Sequence, residues 1–323
     1  MTTLNLSLDT SKLTSATLNS LLNLVTAAEA AGVTSVTLTD RLTGGPTRLD
    51  PLIAASALGP VTHRIGLIPE VVSAVSEPFH TATAVQTIDH ASLGRAGLAL
   101  RPGLDPQEHA AFGRWTPEEI TAENVYQDAE DTLEAVSRLW DSWQDDAVIR
   151  DTATDRFLDR TRIHDAAFEG SRFTVEGASI TPRSPQGRPP IVISVTDAAS
   201  AALAAARGDV AVLTGIEPSG IAALRDAERS HWQTDQLLVW GEAPLTDATD
   251  VADVLTRAQA AGLDGVRLVP QDSLYTPVAL AAALDGAVPP ADNVPQEALP
   301  HLRSTLGLAA APNTYTTREA SLV

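Results

Sequence analysis

The stretch AEAAGVTSVTL, Ala28 to Leu38, reads as the end of a helix, a glycine that closes it, and a β-branched strand. AQAAGLDGVRL, Ala258 to Leu268, repeats the same spacing near the other end of the chain. Two copies of one helix–strand junction point to a fold built by repeating a single unit.

Outward from these junctions, short apolar runs alternate with amphipathic stretches. Strands are expected at 4–8, 33–38, 65–68, 96–100, 191–195, 210–213, 237–240 and 266–269. Helices are expected at 18–31, 50–58, 78–92, 118–143, 198–206, 219–229, 248–261 and 277–284. In the longest of these, Val125, Ala129, Leu133, Val136 and Trp140 share one face. Strand–helix alternation requires parallel pairing through crossovers, hence an α/β class. Eight such units predict a closed (β/α)8 barrel. We read one barrel domain over residues 1–310, interrupted by an irregular excursion at 145–190 with room for a small hairpin. HLRSTLGLAAAP, from His301, reads as a last docked helix, and 311–323 as a disordered tail.

Composition narrows the function. The chain has 323 residues, no cysteine and a formal net charge of −19. Thiolate chemistry and disulfides are therefore excluded. The charge opposes binding to nucleic acid or an anionic membrane. The N-terminus MTTLNLSLDTSKL has neither the basic start nor the apolar run of a signal peptide, and no run is long enough to span a bilayer. A cytoplasmic location is the expectation.

Barrel sites lie at the carboxyl ends of the strands. Those positions hold Asp9, Asp40, Glu70, Arg101, Thr196 with Asp197, Gly215 with Glu217, Glu242, and Pro270 with Gln271. Several carboxylates at one mouth suit a metal or an acid–base pair; solvated strand ends in an acidic protein explain them equally. Asp89 and His90 read as a satisfied helix end, and Trp140 and Trp143, at i, i+3 spacing, as core. No phosphate-cradling glycine motif or nucleophile elbow is present.

Several segments carry a resemblance: RLDPLIAASAL (48–58), RIGLIPE (64–70), EPFHTATAVQTIDHASLGRAG (77–97), AAFG (110–113), LWDSWQDDA (139–147), DRFLDRTRIHDAAFEGSRFTVEG (155–177) and PRSPQGRPP (182–190). Together they resemble the FMN-dependent branch of the bacterial-luciferase-like flavin monooxygenases. The resemblance implies a (β/α)8 barrel that binds reduced FMN at its mouth and activates dioxygen toward a small organic substrate. It also implies a partner flavin reductase and a homodimer. A deazaflavin oxidoreductase shares the barrel and is the more distant reading.

Matched residue by residue, the resemblance implies flavin contacts at Asp40, Ser73 and Tyr126, phosphate contacts at Thr196 and Ser200, and an anion clamp at Arg101. Other positions depart from the pattern. The family's flavin-facing Asn is Ala99, and the His at the start of the long helix is Ala122. The glycine-rich loop after the fifth strand has become Ile193–Ser200, with Asp197 at its centre. Phosphate sites use glycine so that backbone N–H groups can approach the anion. Asp197 either sits against that phosphate or caps the helix that follows. Two functions remain open: a reduced-FMN monooxygenase with altered contacts, and a flavin-free homologue acting as a binding or partner subunit.

Overall fold

The protein is described here by a computed structural model covering residues 3–13, 17–39, 42–43, 48–214, 218–227, 236–286 and 300–320. Barrel strands are β1 (Thr3–Asp9), β2 (Ser35–Thr39), β3 (Gly66–Val72) and β4 (Leu98–Arg101), then β9 (Ile191–Val195), β10 (Val210–Leu213), β11 (Leu238–Leu245) and β12 (Gly265–Pro270). They form a closed, all-parallel barrel in the order β1-β12-β11-β10-β9-β4-β3-β2. Between β4 and β9 lie two short hairpins, β5 (Val148–Asp151) with β6 (Arg156–Leu158) and β7 (Phe168–Glu169) with β8 (Thr174–Val175).

The repeated junctions close the barrel. Both helices that precede them, α1 (Leu18–Ala30) and α8 (Val251–Ala260), end before a glycine with positive φ, 83° at Gly32 and 79° at Gly262. That left-handed conformation suits a residue without Cβ. The strands they deliver, β2 and β12, pair with β1 on its two sides, with Asn5 opposite both Ser35 and Arg267.

Local chemistry sets the other helix starts. Asp50 accepts from Ile53 N at 2.9 Å and Pro51 opens α2 (Pro51–Leu58). α3 runs Pro78–Ala91. A helix that apolar periodicity does not announce, α4 (Pro106–Phe112), is built from caps: Asp105 accepts from Gln107 N, Pro106 follows, and Gly113 ends it at φ 65°. The long helix α5 (Ala122–Asp141) begins at the Thr121 cap. The expected start at Glu118 is corrected, since Thr116 and Glu119 cap each other around a separate 3-10 turn. α6 (Ala198–Arg207), α7 (Pro218–Arg225) and α9 (Pro277–Ala283) complete the outer layer.

The amino-terminal end of the barrel is shut. Leu302 and Leu306 of α10 (Leu302–Thr305 and its cap) pack with Ile68, Val192, Val212 and Trp240. Gly66 makes room for them, because a Cβ there would lie 2.5 Å from Leu302. Of the tail expected to be disordered, 311–323, residues up to 320 are described. α11 spans Thr314–Ala320, and Asn313 and Thr314 are pinned to Asp141 at the end of α5. The open end is therefore the carboxyl end, where the site lies.

One buried contact ties the first helical layer to the barrel. The Glu29 Oε1 accepts from the backbone N–H of His63, Arg64 and Ile65 at 2.9, 2.5 and 2.9 Å. Burial pushes this carboxyl up, but those N–H groups and the nearby Arg95 charge outweigh it and hold it below its ordinary range. Glu29→Ala leaves three donors without their acceptor, at a cost of about 3 kcal/mol. The carboxylate's contribution is whole above its unfolded pKa and is lost as pH falls through the depressed folded value. Urea denaturation at pH 7 is expected to show that loss, and the gap between variant and wild type is expected to narrow below about pH 4.

Candidate functional site

At the carboxyl end of the barrel a cavity of about 640 Å³ opens among the ends of β1, β3, β4, β11 and β12. A recess of about 260 Å³ adjoins it between the β4 loop, Tyr126 and Thr196. The strand-end residues Asp9, Glu70, Arg101 and Glu242 all line the cavity, as the barrel reading expects.

Charge pairs occupy its floor. The Arg101 guanidinium donates Nη1 and Nη2 to the two oxygens of Glu108 at 2.9 and 2.8 Å, and its Nε to Glu70 at 3.3 Å. Bidentate geometry of this kind is the strong form of an ion pair. Arg267 donates Nε to Glu242 at 2.9 Å and Nη2 to Ser194 at 2.8 Å. At the rim, Lys12 meets Asp272 at 2.8 Å, and the Asp9 backbone N–H donates to the Tyr275 hydroxyl at 2.9 Å. Burial pushes the Tyr275 phenol up to about 12, so it stays protonated at neutral pH. Burial also pushes the Glu70 carboxyl up, against the pull of Arg101 and Arg267.

The loop after β9 forms a closed knot. Asp197 accepts from Ser200 N at 2.8 Å and caps α6. The Ser200 hydroxyl in turn accepts the backbone N–H groups of Thr196 and Asp197, each at 2.9 Å. Tyr126 donates its hydroxyl to the Asp197 carboxylate at 3.1 and 3.2 Å. The Ser200 backbone N–H is the main cause that holds Asp197 below its ordinary range, so it is ionised at neutral pH. Asp197 is thus the N-cap of α6.

Other positions singled out in the sequence fall as follows. Tyr126, Thr196 and Arg101 share the recess. Ser73 does not reach it: its side chain is buried and donates to Pro102 O at 3.2 Å. Asp40, Gly215 and Glu217 lie outside the described residues. Asp89 is a buried acceptor for Ala96 N and Gln186, and Trp140 is fully buried. Among the described residues no group of His, Asp and Glu is placed to hold a metal ion. Sequence reading missed Glu108 and Arg267. Arg267 had a signal, because it breaks the apolar run of a strand read as buried. Glu108 had none beyond the caps of its helix.

The luciferase-like monooxygenase family model matches residues 3–237. The chain belongs to that family. It is 37% identical over 164 residues to N-acetyl-S-(2-succino)cysteine monooxygenase of Bacillus subtilis, covering 51% of this chain and 37% of that protein. It is 32% identical over 191 residues to one of the subunits of pristinamycin IIA synthase of Streptomyces pristinaespiralis, covering 58% and 61%. The chain thus spans about a third to three fifths of the length of these relatives. The crystal structure of a long-chain alkane monooxygenase superposes with a TM-score of 0.79 at 16% identity, over 95% of this chain and 96% of that one. At that identity the likeness is one of fold.

For a luciferase-like barrel the test is whether these residues fit reduced FMN. Were the phosphate at the loop after β9, where the resemblance implies it, it would meet the following groups. Ser200 holds the backbone N–H groups of Thr196 and Asp197, and no glycine stands there to let a phosphate approach. A dianion beside the ionised Asp197 meets repulsion on the order of a kcal/mol or more. Arg101, the residue that offers an anion clamp, is bound to two carboxylates.

Proposed function

We propose that this luciferase-like barrel works without its own flavin, as a binding or partner subunit that takes a small organic molecule at the barrel mouth. The observation that carries this reading is the Asp197–Ser200–Tyr126 knot, which holds a negative charge where the family resemblance puts a phosphate. One relative's name, a synthase subunit, supports a setting in which such barrels work beside other chains. One domain over residues 1–310, a homodimer and a cytoplasmic location belong to the same proposal. Among the described residues no helix is long and apolar enough to cross a membrane.

A second reading is a reduced-FMN monooxygenase with altered contacts, served by a flavin reductase. The open 640 Å³ mouth and relatives named as monooxygenases favour it. Its contacts would be Asp40, Tyr126, Thr196 and Ser200, with Arg101 released from Glu108 to face the anion. Anaerobic titration of the full chain with reduced FMN separates the two. The first reading expects no saturation up to about 100 µM; a dissociation constant near 1 µM would put the second in its place.

A further inference from the structure

The chain that leaves β4 forms a wall between the cavity and the recess. Arg101 and Asp105 line both; Gln107 and Glu108 face the cavity, and Gly103 and Leu104 the recess. The wall is anchored at its two ends. Before it, Pro102 O accepts from Ser73 Oγ at 3.2 Å and from Ala74 N at 3.4 Å. After it, Arg114 donates to Ser76 O at 2.7 Å, and the Trp115 indole donates to Ala74 O at 2.9 Å. Just inside these anchors stand Gly103 and Gly113, with φ of 86° and 65°. Glycine moves between backbone conformations at little cost, which is what a hinge requires.

Little apolar surface holds the stretch between the hinges down. Of the seven residues of α4 only Glu108 and His109 are buried, and Phe112 is 50% exposed. A helix ordinarily stays on a domain by burying an apolar stripe. α4 hangs instead on two polar side chains. Glu108 grips Arg101 with both oxygens, and His109 donates Nε2–H to Gly103 O at 2.6 Å with its ring edge-on to Trp115. The seat is also incomplete. Among the described residues, the buried His109 Nδ1 has no hydrogen-bond partner, and neither has Oδ2 of Asp128, an α5 carboxylate within electrostatic reach of His109. Buried polar atoms without partners raise the free energy of the closed arrangement, and water reaches them when the helix lifts.

We infer that residues 103–113 are a lid between the two chambers of the mouth, hinged at Gly103 and Gly113 and latched by the Glu108–Arg101 pair. Closed, as in this structure, it keeps chambers of about 640 and 260 Å³ apart. Raised, it joins them and admits a ligand longer than either chamber. The inference goes beyond the flavin-free reading and holds whichever ligand enters.

Hydrogen exchange of the full chain tests the motion. A seven-residue helix off its seat does not persist in water, so opening frees its amides. In Glu108→Gln the α4 amides are expected to exchange at least about tenfold faster than in wild type, and those of α5 to stay within about twofold. Glu29→Ala, which weakens another part of the fold, is expected to leave the α4 amides unchanged. Equal acceleration of α4 and α5 in Glu108→Gln, or none in α4, overturns the latch. A single thiol tests the gate. The chain has no cysteine, so Ser194→Cys places one reactive sulfur in the recess. Adding Glu108→Gln is expected to speed its reaction with the bulky N-(1-pyrenyl)maleimide by at least about tenfold, and with the small N-methylmaleimide by less than about threefold. The same change for both reagents, or none for the bulky one, overturns the lid even where α4 is mobile.

Discussion

Asp141→Ala is expected to destabilise the protein by about 3–5 kcal/mol, the cost of breaking a buried ion pair from one side. Asp141 is fully buried at the end of α5. Arg183 donates to its Oδ1, and the Nε of Arg188 lies 3.4 Å from the same oxygen. Thr314 donates its backbone N–H and hydroxyl to Oδ2 at 3.0 and 2.6 Å. The same two arginines hold the chain's end, Arg183 through Ala311 O at 2.7 Å and Arg188 through Pro312 O at 2.9 Å. Without Asp141, two buried guanidinium groups lose their shared carboxylate and the segment 311–314 loses its anchor. The thermal midpoint is expected to fall by roughly 10 °C. Asp145 also pairs with Arg183, at 3.0 Å, but is 80% exposed, so Asp145→Ala should stay within about 0.5 kcal/mol of wild type. Equal effects from the two variants would show that the latch does not organise around Asp141.

The second large effect is a gain. Val195→Gly with Asp197→Ser removes the charge from the knot and places at the end of β9 the glycine that the family pattern has. Serine still caps a helix, so α6 should persist with little loss of stability. Removal of a repulsion worth about 1 kcal/mol or more corresponds to roughly fivefold or more in FMN affinity. Fluorescence titration of the double variant beside wild type reads this directly. Asp197→Asn, which keeps shape and removes charge, is expected to recover part of the gain. If neither variant binds FMN better than wild type, the phosphate corner lies elsewhere.

The barrel was legible because parallel strands buried on both faces read as plain apolar runs. The runs at 191–195 and 210–213 are observed with those bounds. The repeated junction was informative for a reason visible only in three dimensions: it delivers the two strands that flank β1. α4 escaped because it has no apolar stripe, although Asp105, Pro106 and Gly113 mark its ends. The contacts of residues 311–314 with Asp141, Arg183 and Arg188 escaped because local composition does not record charges on distant elements. In the site, Asp9, Glu70, Arg101 and Glu242 followed from strand ends alone. What those side chains bind did not follow. The Arg101 clamp expected for an anion is closed by Glu108, from a helix that periodicity leaves unseen. Asp197 was legible as a cap, and its meeting with Tyr126 was not, since no sequence spacing links α5 to the start of α6.

The loop after β9 opposes a phosphate, so the phosphate is the group to observe. Phosphorus NMR of reduced FMN, recorded under anaerobic conditions with excess full-length protein, is predicted to show a narrow line at the position found without protein. A broadened or shifted line that returns when inorganic phosphate is added would contradict the account, because it would place the dianion in a protein site that competes for phosphate.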